Sequence, residues 1–192
     1  MAEHDPYSRV EYRKLIAWPE RIRREWPLIE QVFASAPSRH LLEVGCGPAQ
    51  HARALVDAGY SVVGLDRSPA MIEAATEDPL PEGLELVLGD MRELETLASL
   101  PGPDGIGPRS FGGALCLGNT LPHLAEPEDL EAFARGLAAV LEPGAPVLLQ
   151  ILNYDRIHDR DVRALPVNFR PGPDGATEGG TGDAGEVETV FL

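Results

Sequence analysis

Apolar and polar positions along the chain fall into two periodicities. Over residues 12–36, "YRKLIAWPERIRREWPLIEQVFASA", apolar and charged side chains recur at helical spacing. Pro19 and Pro27 punctuate that stretch. Proline is tolerated best in the first turn of a helix, so the pattern predicts short consecutive helices rather than one rod. Beyond Pro37 short apolar runs alternate with helical stretches. "HLLEV" (40–44), "YSVVGLD" (60–66), "LELVLGD" (84–90), "FGGALCLG" (111–118) and "APVLLQIL" (145–152) read as strands of a buried parallel sheet. Between them "AQHARALVDA" (49–58) has helical periodicity and stops at Gly59, a suitable C-cap residue. "SPAMIEAA" (68–75) opens a helix with Ser68 as N-cap and Pro69 in the first turn. "RELETLASL" (92–100) predicts a short helix, and "EPEDLEAFARGLAAVLEPG" (126–144) an amphipathic one with a glycine stop.

These strand–helix alternations predict an α/β fold, a doubly wound Rossmann-like parallel sheet. The pattern divides a single domain, 1–192, into an N-terminal helical cap (1–37), a core (38–152) and a C-terminal stretch (153–192). In that last stretch "ALPVNFRPG" and "EVETVFL" flank the polar, glycine-rich "PDGATEGGTGDAGE", which predicts an antiparallel β-hairpin.

Composition narrows the function. The 31 acidic against 16 basic side chains leave a formal charge of −15, which repels nucleic-acid phosphates and anionic lipid. A membrane span needs about 18 consecutive apolar residues, and none is present. The N-terminus "MAEHDPYSRVEYRK" lacks the apolar core of a signal peptide, and Cys46 and Cys116 both lie in apolar, strand-like surroundings. A cytoplasmic protein with reduced thiols, no nucleic-acid partner and no membrane partner is expected.

The stretch "LLEVGCGPAQHA" (41–52) carries the first chemical signal. Gly45 and Gly47 form G-x-G, but Gln50 stands where a dinucleotide loop has its third glycine. In a doubly wound sheet, ligands bind beyond the carboxyl ends of the strands, and glycine there lets backbone approach a ligand. The glycines could instead make only a tight turn. Asp66, ending the second strand, has the spacing at which an acid accepts ribose hydroxyls, or it serves as an ordinary N-terminal helix acid. Asp90, ending the third, could accept an adenine amino group with Met91 flanking the ring, or be a solvated turn residue.

"LLEVGCGPAQHARALVDAGYSVVGLDRSPAMIEAA", "LGDM" and "ALCLGNTLPHL", taken in order, resemble the motifs of class I S-adenosylmethionine-dependent methyltransferases over roughly residues 38–152. "EYRKLIAWPERIRREWP" and "NYDRI" resemble, more weakly, the branch of small-molecule N-methyltransferases of the glycine/sarcosine type. The resemblance implies S-adenosylmethionine as cofactor. It implies that Glu43, Gly45 and Gly47 cradle the methionine part, that Asp66 holds the ribose, and that Asp90 and Met91 hold the adenine. Asn119 would lie beside the methionine end and the substrate. This donor has no pyrophosphate for a third glycine to accommodate, which fits Gln50. Relatives of this kind add a further helix and antiparallel strands, so with Phe191–Leu192 inside an apolar run the final strands are expected to be missing and the chain truncated.

The implied activity is methyl transfer to a small-molecule acceptor, an amine above all, by in-line displacement. For a hydroxyl acceptor the candidate base is His123, which could also be a plain loop histidine. Tyr7 and Tyr12 could close over the ligand or only pack between helices. Tyr154 and Arg156, past the fifth strand, could contact substrate, Arg156 through a carboxylate, or lie on the surface. Two alternatives stay open: a nicotinamide-dependent NAD(P) oxidoreductase, against which Gln50 and "LGD" argue, and a non-catalytic cofactor-binding fragment. No His, Cys and carboxylate grouping has metal-ligand spacing.

Overall fold

Five short strands, β1 (His40–Val44), β2 (Ser61–Asp66), β3 (Leu84–Leu88), β4 (Gly113–Cys116) and β5 (Val147–Leu149), pair side by side in the order β3-β2-β1-β4-β5. Every pairing is parallel, with Leu42 opposite Val63 and Ala114, and Leu115 opposite Leu148. The computed structural model describes residues 16–99 and 110–159. The chain runs outward from β1 to β3, then returns to the other side of β1 with β4. That reversal puts the topological switch point between β1 and β4.

Strand side chains alternate between the two faces, and each face has its own cover. On one, Leu41, Val62 and Leu115 meet α1 (Trp18–Phe33), α2 (Gln50–Asp57) and α3 (Pro69–Thr76) through Ile29, Phe33, Ala52, Leu55 and Ala75. On the other, Leu42, Val44, Val63 and Leu65 meet a 3₁₀ segment (Met91–Ser99) and α4 (Pro127–Val140) through Leu94, Leu97, Phe133, Leu137 and Val140. Phe133, Leu137 and Val140 repeat at helical spacing, and Gly136 between them lets α4 ride close to Leu94, whose Cβ would lie 2.8 Å from an added Cβ. Fully burying each such side chain contributes roughly 1.5–3 kcal/mol.

The helix termini follow local chemistry. Ser68 Oγ accepts from Met71 N at 3.1 Å, capping α3 with Pro69 in its first turn. After α2, Gly59 takes φ 84°; its N–H bonds Val56 O and that of Tyr60 bonds Leu55 O, a Schellman ending.

Two local expectations are corrected. Residues 18–33 form one helix, with Pro19 at its start and Pro27 inside it. Pro27 removes one ladder hydrogen bond, but Trp18 on one side of it and Ile29 and Phe33 on the other are all buried, so packing keeps both halves helical. The short helix expected after Asp90 is present as a 3₁₀ segment, broken at Glu93 (φ −118°), with Leu94 and Leu97 seated in the core. Helix α4 ends before its glycine: Leu141 is extended and bridges Phe111, so strand-like pairing halts the helix ahead of Gly144. The expected hairpin, the truncated end, Tyr7 and Tyr12 lie outside the described residues. The strand expected over 145–152 is regular only at Val147–Leu149, followed by the short helix α5 (Tyr154–Asp159). No helix among the described residues is long and apolar enough to cross a membrane.

Candidate functional site

The carboxyl ends of β1 to β4 open into one pocket, walled by the turn after each strand and roofed by α1. Its floor is the turn after β1. Gly45 and Gly47 both hold positive φ, 69° and 52°. An added Cβ on Gly45 would overlap the Thr120 side chain, whereas at Gly47 the nearest atom is Met71 Sδ at 3.8 Å. Gly45 is therefore required by packing and conformation, and Gly47 by conformation and by the open space it faces. Pro48 lies in the turn ahead of the helix, and Ala49, also left-handed at φ 56°, is the N-cap of α2. The Gln50 amide folds back on Pro48 O at 3.3 Å.

Asp66 locks this turn to β2. Its Oδ2 accepts from Gly47 N at 2.7 Å and its Oδ1 from Ser68 N at 2.9 Å. Asp66, Arg67 and Met71 line one wall, Gly89 and Met91 the next. Leu117, Gly118, Thr120 and His123 line the β4 side, with His123 exposed at the rim.

Glu43 is the unusual residue. It is the penultimate residue of β1, only 2% exposed, and its Oε2 has no hydrogen-bond partner among the described residues. Burial pushes its carboxyl up to about 8, opposed by a hydrogen bond from the Ala52 N–H and by Arg21, and reinforced by Asp66 and Glu25. Ala52 is in the first turn of α2, so Glu43 satisfies a helix donor that the Ala49 N-cap, lacking a polar side chain, cannot.

Beside Glu43 stand residues for which sequence reasoning assigned no role. His51 Nε2 lies 2.7 Å from Glu25 Oε2, and its Nδ1 lies 3.7 Å from Glu43 Oε1. Arg21 Nε donates to Glu25 Oε1 at 3.2 Å, and the Arg21 guanidinium covers the Trp18 ring at 5.2 Å. Trp18, Arg21 and His51 all line the pocket. Burial opposes ionisation of Glu25, but the His51 hydrogen bond and the Arg21 and His51 charges outweigh it and hold the carboxyl below the ordinary range. A polar His51 on the α2 face that also carries Ala52 and Leu55 was the signal available in the sequence.

Other residues expected at the site stand outside the pocket lining. Asp90 accepts from Arg92 N and from its guanidinium at 2.6 and 3.0 Å, and these hydrogen bonds hold its carboxyl low. Asn119, left-handed at φ 63°, uses its side chain as a strut: Nδ2 donates to Tyr154 Oη at 2.7 Å and Oδ1 accepts from Leu152 N at 3.0 Å. Tyr154 is thereby turned toward Asn119, and Arg156 is exposed on α5. Cys46 and Cys116 are buried free thiols. Burial pushes Cys46 well above its ordinary value and Cys116 up to about 12, so neither is a nucleophile at neutral pH.

Residues 41–144, more than half of the chain, match the model of a methyltransferase domain. A glycine/sarcosine N-methyltransferase from Halorhodospira halochloris is 28% identical over 147 residues, 76% of this chain and 52% of that protein. The chain spans about half the length of the curated relatives it matches. Among solved structures, a SAM-bound amino pentose methyltransferase from Micromonospora echinaspora superposes with TM-score 0.53 at 24% identity, covering 71% of this chain and 51% of that one. A protein from Pyrococcus horikoshii OT3 superposes with TM-score 0.62 at 21% identity, covering 83% and 72%.

Proposed function

Because the chain belongs to the methyltransferase domain family, we propose that it binds S-adenosylmethionine in this pocket and methylates the amino group of a small-molecule acceptor. The carrying observation is the joint between β1 and β2. Two left-handed glycines bare the backbone there, and Gly47 and Ser68 hold the Asp66 carboxylate against the same space. The residues fit the cofactor in a second respect, since the buried Glu43 Oε2 lacks a partner that a cationic group would provide. Glu43, Gly45 and Gly47 would hold the methionine portion, Asp66 the ribose, and Gly89 and Met91 the adenine face. Asp90 would have to share its carboxylate with Arg92 to reach the base.

When bound, the cofactor supplies a methyl group on a sulfonium, open to in-line displacement. The chain's own part is to align the acceptor and exclude water. Trp18 and Arg21 close the α1 side, and His123 at the rim is the group able to take a proton from a hydroxyl acceptor. An amine arriving neutral needs no such base. Relatives named for glycine, sarcosine and an amino pentose support an amine acceptor. The free buried thiols suit a reducing, cytoplasmic setting. Gln50, whose amide bonds Pro48 O, stands where a dinucleotide loop has its third glycine, which argues against a nicotinamide cofactor.

Labelled S-adenosylmethionine with a panel of amines, amino acids, amino sugars and phenols tests the reading. Label in an amine product is expected. Label only in phenols would overturn the acceptor class, and an absence of cofactor binding by calorimetry would overturn the reading itself.

A further inference from the structure

We infer that His51 is a positioning residue that couples Glu43 to Glu25, and that a cationic ligand group arriving at Glu43 Oε2 expels one proton from the Glu43–His51 pair. The inference rests on the proposed cofactor site and goes beyond it, because it concerns the proton inventory of binding.

The imidazole is held at one end and faces a second carboxyl group at the other. His51, 5% exposed, directs Nε2 at Glu25 and Nδ1 toward Glu43. Glu25 is anchored in turn by Arg21 and by the Gln150 amide at 3.3 Å, while Gln150 Oε1 accepts from Gly118 N at 2.8 Å. The imidazole therefore ties α1 to α2 with its Nδ1 set toward β1, and the anchor reaches the turn after β4. Trp18 meets the imidazole edge-on, with ring centroids 5.7 Å apart, and fixes its tilt.

Charge accounts for the proton. Glu43 faces Arg21 and Glu25 on α1, His51 on α2, Asp66 on β2, and the Cys46 and Cys116 thiols. The thiols are neutral. In the ligand-free pocket a third ionised carboxylate beside Glu25 and Asp66, buried and with one oxygen unsatisfied, is unfavourable, so Glu43 keeps its proton at neutral pH. An ammonium group set against Oε2 supplies the missing counter-charge. The O–H bond of Glu43 breaks, its electron pair stays on the carboxylate, and the proton leaves to solvent. His51, facing Oε1, sets how readily that happens.

Titration calorimetry with S-adenosylhomocysteine at pH 6.5, in buffers of different ionisation enthalpy, counts the protons. The α-amino group of a free amino acid is protonated at that pH, so the ligand arrives charged. Release of about one proton per ligand is expected, with affinity rising about tenfold per pH unit from pH 6 to 7.5. Glu43→Gln should abolish the release. His51→Gln, which can still hydrogen-bond Glu25, should move the rising limb to higher pH. Binding without proton release in the wild-type protein would overturn the inference and leave the proposed cofactor standing, whereas no binding would overturn both. Release that persists in Glu43→Gln, or an affinity loss in His51→Gln that is equal at every pH, would also overturn it.

Discussion

Asp66 is the residue in which fold and function are hardest to separate. Its two oxygens already hold Gly47 N and Ser68 N, so the side chain builds the turn as well as facing the ligand space. Asp66→Asn should weaken S-adenosylhomocysteine binding about ten- to a hundredfold and also cost about 1–3 kcal/mol of stability, because one amide face now opposes a backbone donor. Calorimetry and urea unfolding of the same variant measure the two losses separately. His123, at the rim, distinguishes acceptor classes: His123→Ala should lower kcat about 10²–10⁴-fold if a hydroxyl is methylated and only slightly for an amine. Steady-state kinetics on the acceptor found will decide. The thiols Cys46 and Cys116 should react with iodoacetamide only as fast as the protein opens, since burial keeps both protonated. Labelling at a free-thiol rate in native buffer would contradict their burial.

At the scale of elements, α1 shows tertiary packing overruling local preference. Pro27 is exposed mid-helix, while Ile29 and Phe33 beyond it are buried. A helix-interior proline costs about 3 kcal/mol relative to alanine, offset by roughly 0.4–1 kcal/mol because proline stiffens the unfolded chain. Pro27→Ala should therefore raise stability by about 2 kcal/mol, read as a higher denaturant midpoint with an unchanged m-value. The opposite sign would mean that α1 needs the break that Pro27 introduces. Such a break would bear on the pocket, because Trp18, Arg21 and Glu25 all precede it on the same helix.

At the scale of the whole molecule, stability should follow pH through a few carboxyl groups that the fold shifts from their ordinary range. Glu43, pushed up to about 8, binds more protons folded than unfolded between about pH 4.5 and 8. Its contribution to stability thus falls as pH rises through that window. Glu25 and Asp90, held low, act the other way: their contribution is present above the ordinary carboxylate range and is lost as pH falls below it. Stability should peak in mildly acidic solution and decline toward pH 8.5, and Glu43→Gln should flatten the decline. Urea midpoints across pH 4–9 measure this. The formal charge of −15 adds repulsion, so the series belongs in about 0.3 M salt, where the Debye length is short.

Much of this architecture was legible in the sequence because it is local. Period-two and helical spacings, Ser68 as a cap and Gly59 as a stop each act within a few residues, so strand order along the chain and the glycine loop could be read directly. The place of Asp66 at the end of β2 was legible for the same reason, whereas its grip on Gly47 N and Ser68 N was not. Strand adjacency, with β4 returning beside β1, arises between segments about seventy residues apart and was inferred from the alternation as a whole. What only the tertiary structure decided was the pocket's polar lining. Nothing in the spacing of Glu25, Glu43 and His51 says that they meet; α1, β1 and α2 bring them together by burying apolar faces elsewhere. Asn119 shows the converse. The family resemblance implied a ligand contact for it, but the backbone of Leu152 and the hydroxyl of Tyr154 claim its amide once the sheet is assembled. A chain can encode its strands through its neighbours in sequence, but a buried charge must find its partner across space, where the free energy of folding sets the geometry.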